Sequence, residues 1–176
     1  MQEEGLGLVH VYTGDGKGKT TAALGLALRA AGHGLRTYIA QFMKGQDYGE
    51  LEAVKRLSPL ITIEQFGQAS FVHVKQATAE DVALAHAGLE RVRQALHSGQ
   101  YDIVVMDEIN VALFFELLTV DEVLSLIENR PPGVELVLTG RRVPEKLIAH
   151  ADLVTEMREI KHPYQKGIKA RRGIEY

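Results

Sequence analysis

Short runs of nearly continuous apolar residues recur along the chain at regular intervals. Strands that are buried on both faces of a parallel sheet read in this way. The runs lie at residues 6–13, 36–42, 60–66, 101–108, 134–140 and 152–157. Helical segments separate several of them, and such alternation is typical of a parallel sheet covered by helices. The pattern therefore predicts an α/β fold with a mostly parallel central sheet of about six strands.

The segment from Thr20 to Ala31 carries a helical period. Leu24, Leu28 and Ala31 are spaced so that they fall on one face of a helix. The segment ends at "GHG", a glycine signal for the end of a helix. We therefore expect an amphipathic helix here whose apolar face contains these three residues.

Two further helices are predicted from their first residues. Thr78 and Thr119 are each followed three residues later by an acidic residue, which is the signature of a capping box. A long amphipathic period follows the first, and "PPG" at 131–133 ends the second. The stretch from Gly67 to Ala77 fits neither period and follows a strand, so we expect it to belong to a binding site.

Length and composition narrow the class of protein. The 176 residues are enough for one sizeable core, so residues 1–176 are expected to form a single domain. A net charge of −3 argues against a general nucleic-acid binder, and the absence of cysteine excludes disulfides and thiolate metal sites. No apolar run approaches the ~20 residues of a membrane span, and the acidic N-terminus does not resemble a signal peptide. We expect a cytoplasmic protein without membrane contact.

The sequence "GDGKGKTT" (14–21) follows the first predicted strand and opens the first predicted helix. In this context glycines let backbone N–H groups converge on phosphate oxygens, and the N-terminus of the helix adds its dipole. Lys19 would contribute a full charge, and Thr20 would ligate a magnesium ion. The segment predicts a nucleotide-binding P-loop, and with it a P-loop NTPase-like three-layer sandwich.

The glycine frame of this loop is shifted. The usual pattern, G-x-x-x-x-G-K-[ST], places a glycine five positions before Gly18, where this chain has Thr13. Gly14 comes one residue late. The shift raises the question of how such a loop holds its nucleotide.

Two further strand ends carry charged residues. The apolar run "IVVM" ends in Asp107 and Glu108, and a carboxylate in this place can hold magnesium directly or through water. Glu108 has two possible roles here, metal ligand or general base. Arg141 and Arg142 follow another strand, where an arginine could bind a triphosphate in a bidentate manner. The histidines lack the spacing of a metal site.

Four stretches together carry a resemblance to a known family. They read "TGDGKGKTTAALGLALRAAGHG", "QFMKG", "MDEINVAL" and "LTGRRVPEKLIAHADLVTEMREIKHPYQKGIKARRGIEY". In them the chain resembles, over nearly its whole length, the P-loop-type corrinoid adenosyltransferases, which transfer the 5′-deoxyadenosyl group of ATP to the cobalt of cobalamin precursors. The last stretch is the most specific, because a generic ATPase has no reason to end in this way.

The resemblance implies a reversed nucleotide and a set of site residues. The family has the same shifted glycine frame, and its γ-phosphate is understood to lie where other P-loop proteins hold the α-phosphate. This orientation leaves the ribose C5′ open to attack by cobalt(I). By resemblance, Lys19, Thr20 and Glu108 are the candidate catalytic residues, and Thr20, Glu108 and Asp107 the candidate ligands of Mg²⁺ or Mn²⁺. The implied ATP-binding residues are Gly14, Asp15, Gly16, Lys17, Gly18, Lys19, Thr20, Thr21 and Arg141.

The corrinoid side of the family pattern is changed in this chain. The family uses aromatic side chains to strip the lower axial ligand from cobalt, and members with the better-known loop read G-F-T-W. This chain has "FGQASFVHV" and no tryptophan. Phe71 matches the aromatic residue, and His73 stands where tryptophan would be. Both are candidate corrinoid-binding residues.

The resemblance further implies a homodimer and an electron donor such as a flavoprotein reductase. Two other functions compete with the adenosyltransferase. One is a P-loop ATPase or kinase in which Glu108 is the general base, and the other is a nucleotide-dependent switch that binds a partner protein.

Overall fold

The computed structural model describes residues 5–69 and 77–176. Strands alternate with helices along these residues. The strands are β1 (Val9–Thr13), β2 (Thr37–Phe42), β3 (Ile61–Phe66), β4 (Ile103–Asp107), β5 (Glu135–Thr139) and β6 (Leu153–Glu156). The helices are α1 (Lys19–Ala31), α2 (Gly49–Lys55), α3 (Ala79–His97), α4 (Ile109–Phe114), α5 (Val120–Glu128) and α6 (Glu145–Ala149), and a 3₁₀ turn spans Pro163–Lys166.

The strands form one sheet in the order β3-β2-β4-β5-β1-β6. All pairings between neighbouring strands of this order are parallel, which confirms the predicted mostly parallel sheet. Residues of β4 and β5 are buried throughout, as their continuous apolar runs predicted. Because β5 lies between β1 and β4, the carboxyl ends of these three strands meet at one edge of the sheet. The P-loop and the Asp107–Glu108 pair are thereby brought to the same edge.

Helices cover both faces of the sheet and complete the predicted three-layer sandwich. On one face, α1 packs against β2, β4 and β5, with α2 beside it. On the other face, α3 to α6 enclose the larger core, in which Leu89 and Val92 of α3 are buried. Within the residues that the structure describes, no helix is both long and apolar enough to cross a membrane.

The buried face of α1 agrees only in part with the predicted one. Ala23, Ala27 and Ala30 face the sheet, whereas Leu28 is 59% exposed. Small side chains allow the backbone of α1 to lie close to the strands. Leu24 and Ala31 pack against the edge of the same core, partly buried, and Leu28 is turned outward. The helical period was therefore right. Of the predicted apolar face, Leu24 and Ala31 contact the core, whereas Leu28 does not.

Both predicted capping boxes are present. The hydroxyl of Thr78 accepts a hydrogen bond from the Asp81 N–H at 3.2 Å, and the Asp81 carboxylate accepts from the Thr78 N–H at 2.9 Å. Thr119 and Glu122 repeat this arrangement at the start of α5. The sequence pattern did not predict α2, α4 and α6, because helices of 5 to 7 residues are too short to show a period.

Two glycine-to-alanine substitutions should change stability in opposite directions. A Cβ at Gly88 in α3 would lie 2.8 Å from Phe66 Cγ and 2.9 Å from Phe42 Cε1, both within the core. Overpacking of this kind costs about 1–3 kcal/mol, so Gly88→Ala should lower the free energy of unfolding. Gly25→Ala, exposed in α1, should raise it by about 0.5–1 kcal/mol. Urea denaturation measures both, and a stabilised Gly88→Ala variant would contradict the packing described here.

Candidate active site

The shifted glycine frame follows from the pairing of β1 with β6. Thr13 is still a strand residue, aligned with Glu156 of β6, and its carbonyl accepts a hydrogen bond from the Met157 N–H at 2.8 Å. The turn therefore begins one residue later, at Gly14, with φ of 99°. A Cβ at Gly14 would overlap the carbonyl oxygen of Met157. Glycine is thus required at position 14, and a strand residue is suited to position 13.

Met157 continues to contact the loop beyond this point. The Gly16 N–H donates a hydrogen bond to the Met157 carbonyl at 2.7 Å, and a Cβ at Gly16 would lie 2.8 Å from the backbone of Arg158. At Gly18 the nearest atom is the sulfur of Met157, 3.1 Å from the site of a Cβ. The chain leaving β6 therefore lies directly against the loop, and the glycines make room for it.

Lys19 is buried in the wall of the site, and its ammonium donates to the carbonyl of Gly16 at 2.6 Å. Burial lowers the pKa of Lys19 and the charge of Arg141 lowers it further, while neighbouring carboxylates oppose the shift. A hydrogen bond to a neutral carbonyl leaves the positive charge of Lys19 available to an anion. The arrangement suits a phosphate group in front of the loop.

Asp107 is the centre of a buried hydrogen-bond network. Its Oδ1 atom accepts from the hydroxyls of Thr20, at 2.8 Å, and Thr139, at 2.7 Å. Its Oδ2 atom accepts from the Lys44 ammonium at 2.7 Å and lies 3.4 Å from the amide of Gln41. These groups come from α1, β5 and the carboxyl end of β2. The carboxylate therefore joins three parts of the sheet edge at one point.

Lys44 was not among the predicted site residues. It follows the carboxyl end of β2, and its side chain is 14% exposed. Burial acts to lower the pKa of Lys44, but the carboxylate of Asp107 outweighs this effect, so the pKa is raised. The rule that ligand sites form at the carboxyl ends of parallel strands could have identified this lysine.

Glu108 occupies a left-handed backbone position, with φ of 61°, directly after β4. Its N–H donates to the hydroxyl of Thr139 at 2.9 Å, which fixes the turn. Burial and the nearby Asp107 carboxylate raise the pKa of Glu108, whereas Lys44, Lys19 and Arg141 act to lower it. These cations favour the ionised form, which both of its candidate roles require.

A cavity of about 320 Å³ lies in front of the loop and contains most of the predicted ATP-binding residues. Its lining consists of Gly16, Lys17, Gly18, Lys19, Thr20, Thr21, Lys44, Tyr48, Glu50, Glu108, Arg141, His162, Ile174 and Glu175. Within the described ranges, the lining does not include Gly14 or Asp15, and Asp107 lies beneath it. Phe71 and His73 are outside the described residues.

The two arginines after β5 point to different places. Arg141 lines the cavity, and its Nη1 atom is 3.9 Å from the carboxylate of the exposed Asp15. Arg142 instead lies over the ring of Phe114, with 4.3 Å between its Cζ atom and the ring centroid. Only Arg141 of this pair is therefore placed to meet a ligand in the cavity.

The C-terminal segment forms a further wall of the cavity. The Lys17 ammonium donates to the carbonyl of Ile174 at 2.9 Å and to the carboxylate of Glu175 at 3.2 Å. Arg171 binds the same carboxylate at 3.0 Å, and hydrogen bonds from Arg171 lower the pKa of Glu175 to about 2. Local pattern could not place these residues, although they belong to the stretch that carries the family resemblance.

The parallel sheet, the glycine-rich loop that opens α1 and the buried aspartate at the end of β4 define a P-loop nucleotide-binding protein. The sequence profile of the family described as ATP:corrinoid adenosyltransferase BtuR/CobO/CobP matches residues 5–176. The chain therefore belongs to the ATP:corrinoid adenosyltransferases, which are transferases with ATP and a corrinoid as substrates. This confirms the resemblance seen in the sequence.

Individual relatives agree with this assignment. The chain is 40% identical to a corrinoid adenosyltransferase from Sinorhizobium sp over 97% of its own length and 80% of the relative's. It is 38% identical to a corrinoid adenosyltransferase from Pseudomonas aeruginosa, covering 97% and 84% of the two chains. It is 35% identical to the corrinoid adenosyltransferase CobA of Salmonella typhimurium, covering 99% and 88%.

A test of the glycine frame compares two substitutions at glycines with positive φ. Gly14→Ala introduces backbone strain and also a collision with Met157, whereas Gly34→Ala, at φ of 78° and with no atom within 4 Å, introduces strain alone. We expect Gly34→Ala to cost about 1–2 kcal/mol and Gly14→Ala clearly more. Thermal unfolding measures both. Equal losses would show that contact with Met157 does not require the glycine.

Proposed function

We propose that the triphosphate of ATP lies in the cavity in front of residues 16–21, with its ribose C5′ turned toward the corrinoid. Cobalt(I) attacks C5′, a cobalt–carbon bond forms, and the C5′–oxygen bond breaks with its electron pair leaving on triphosphate. The observation that carries this proposal is the position of Lys19, buried beside the loop with its ammonium on a neutral carbonyl. Its charge is available to the leaving anion.

The protein has little covalent chemistry to perform in this reaction. Cobalt(I) is itself the nucleophile, so the protein positions the two substrates and stabilises the charge that develops on triphosphate. Lys19 and Arg141 line the cavity from different elements and face the same space. Backbone N–H groups at the start of α1 add partial positive charge in the same direction.

The oxygen donors at the sheet edge fit a divalent cation. The hydroxyl of Thr20 and the carboxylate of Glu108 line the cavity, and the carboxylate of Asp107 lies behind Thr20 at 2.8 Å. Mg²⁺ and Mn²⁺ prefer such oxygen ligands, so we assign Thr20 and Glu108 as ligands and Asp107 as their support. The cation would supply further neutralisation of the triphosphate charge.

The assignment of the corrinoid-binding residues rests on the family resemblance. We assign Phe71 to the lower face of the corrin, where an apolar wall replaces the polar axial ligand, and His73 to the position next to it. A cobalt centre without that ligand accepts an electron more easily, and a flavoprotein reductase is the expected donor. Loss of the ligand would thus prepare cobalt(II) for reduction.

A homodimer is supported by the exposed apolar residues of the C-terminal part. Leu153 and Val154 of the edge strand β6 are 39% and 42% exposed, and Ile160 and Tyr164 beyond it are 86% and 77% exposed. An edge strand with apolar side chains, followed by further exposed apolar residues, is typical of a surface that another chain covers. We propose that a second copy of the protein covers it.

Anaerobic incubation with ATP and chemically reduced corrinoid tests the reaction directly. Absorbance follows the cobalt–carbon bond, and product analysis separates the three candidate functions. Triphosphate with an adenosylated corrinoid supports the transferase, phosphate or a phosphorylated acceptor supports an ATPase or kinase with Glu108 as base, and neither product supports a switch. The absence of a spectral change with several corrinoids would contradict the proposal.

Lys19→Ala should nearly abolish transfer. Removing a preorganised charge from an anion that is being expelled costs roughly 3 kcal/mol, which is ~10²-fold in rate. The measurement is the initial rate at saturating ATP and corrinoid. Lys55→Ala is the matched control, because Lys55 pairs with Glu52 on the exposed surface of α2 and its loss should leave the rate unchanged. A Lys19→Ala variant that keeps most of its rate would show that Lys19 does not bind the triphosphate.

Phe71→Ala should mainly impair the reduction of cobalt(II) to cobalt(I) on the enzyme. We expect a strong loss of transfer when cobalt(II) must be reduced on the enzyme, and a much smaller loss when cobalt(I) is supplied preformed, because alkylation itself does not need the aromatic ring. His73→Ala should have a smaller effect in both assays, unless His73 has taken the role of the family's tryptophan. Equal losses in the two assays for Phe71→Ala, in a folded variant, would mean that this residue only shapes the pocket.

A further inference from the structure

The ammonium of Lys44 contacts one of the two proposed cation ligands, Thr20, and also Asp107, which supports that ligand. Its Nζ atom is 2.7 Å from Asp107 Oδ2 and 3.3 Å from the hydroxyl oxygen of Thr20. The Thr20 hydroxyl in turn donates to Asp107 Oδ1 at 2.8 Å. A positive charge supplied by the chain itself therefore already occupies the oxygen-lined end of the cavity.

This contact distinguishes Lys44 from the other lysines of the cavity. The Lys19 ammonium binds the carbonyl of Gly16, and the Lys17 ammonium binds Ile174 and Glu175 in the C-terminal segment. Lys44 is thus the lysine whose charge is set against the buried carboxylate of Asp107. A carboxylate without a compensating cation is costly in such a place, so Lys44 keeps the site intact before any ligand binds.

An ammonium and a divalent cation cannot share this space. Both would be drawn to the hydroxyl oxygen of Thr20, and their like charges would repel each other at contact distance. Binding of the divalent cation at Thr20 therefore requires the Lys44 ammonium to move away. The inference rests on the proposed function, which places the cation there.

The displaced ammonium can move into the cavity, which Lys44 lines. In its present position the ammonium lies beside the ring of Tyr48, with 5.3 Å between Nζ and the ring centroid. The long, flexible stem of a lysine lets its ammonium reach new partners without a change of backbone. In the open part of the cavity the ammonium would meet the triphosphate.

We propose that Lys44 is a positioning residue with two alternative partners. Without ligands, its ammonium occupies the cation site and holds Asp107 and Thr20 in place. When a divalent cation binds, the ammonium transfers to the triphosphate and adds a second lysine charge to the leaving group. The Lys44 side chain thereby weakens binding of the divalent cation alone and strengthens binding of triphosphate when the cation is present.

Mn²⁺ binding without nucleotide tests the first part, with paramagnetic resonance of free Mn²⁺ as the readout. In Lys44→Met no ammonium has to be moved away from Thr20 and Asp107 before Mn²⁺ binds. Because a hydrogen bond to a charged group contributes about 1.5 kcal/mol or more, this variant should bind Mn²⁺ about tenfold more tightly than the unsubstituted protein. Lys17→Met is the matched control, since it removes the same charge from the same cavity without touching Asp107, and it should change Mn²⁺ binding much less. Unchanged or weaker binding by Lys44→Met would overturn the inference.

Inorganic triphosphate at saturating Mn²⁺ tests the second part by calorimetry. Here Lys44→Met should bind about tenfold more weakly, the opposite direction from its effect on Mn²⁺ alone. Unchanged triphosphate affinity would overturn the transfer of the ammonium. If Lys44→Met does not fold, Lys44→Gln keeps a hydrogen-bond donor but removes the charge and should shift both affinities in the same directions.

Failure of the inference can be told apart from failure of the proposed cation site. If the unsubstituted protein binds Mn²⁺ and Thr20→Ala weakens that binding, the cation site stands, and only the comparison with Lys44→Met decides the role of the lysine. If neither the unsubstituted protein nor any variant binds Mn²⁺, with or without triphosphate, the cation assignment and the inference both fall, while adenosyl transfer remains testable by the cobalt–carbon assay.

Discussion

The site depends on the hydrogen bonds that the buried carboxylate of Asp107 accepts. Asp107 ends β4 beneath the cavity and accepts hydrogen bonds from Thr20, Thr139 and Lys44, which belong to three different parts of the sheet edge. A buried charge of this kind is costly without compensating partners, and removing one partner from such a pair costs several kcal/mol. The requirement to satisfy Asp107 therefore aligns the loop, the strand ends and Lys44 in one arrangement.

The second constraint is the path of the chain leaving β6. Met157 lies against the loop at Gly14, Gly16 and Gly18, and its carbonyl takes the N–H of Gly16. That N–H is thereby engaged within the protein rather than directed at a phosphate. The shifted glycine frame thus accompanies the pairing of β1 with β6, and one backbone donor of the loop is already engaged by Met157.

The cavity combines a fixed set of charges with contacts that a ligand can exchange. The Lys19 ammonium faces the cavity while it donates a hydrogen bond to a neutral carbonyl. Lys17 is instead paired with the carboxylate of Glu175, and Lys44 with that of Asp107. Transfer of an adenosyl group leaves a highly charged triphosphate, so charge that is held in place before the reaction lowers the barrier without reorganisation. Lysines that exchange a carboxylate for a phosphate can add to this effect without leaving an unpaired charge in the empty site.

Local patterns determined much of this protein. Apolar runs predicted the six strands, two threonine-led boxes marked the starts of α3 and α5, and the residues of the loop and of the Asp107–Glu108 pair indicated a nucleotide site, because each signal depends on neighbours in the chain. Tertiary structure decided the rest. Which face of α1 is buried depended on how closely it approaches the sheet, and Lys44 reached Asp107 only through the pairing of β2 with β4. Lys17 meets Ile174 across 157 positions of the sequence, a contact that no local period encodes because the path of the whole chain produces it.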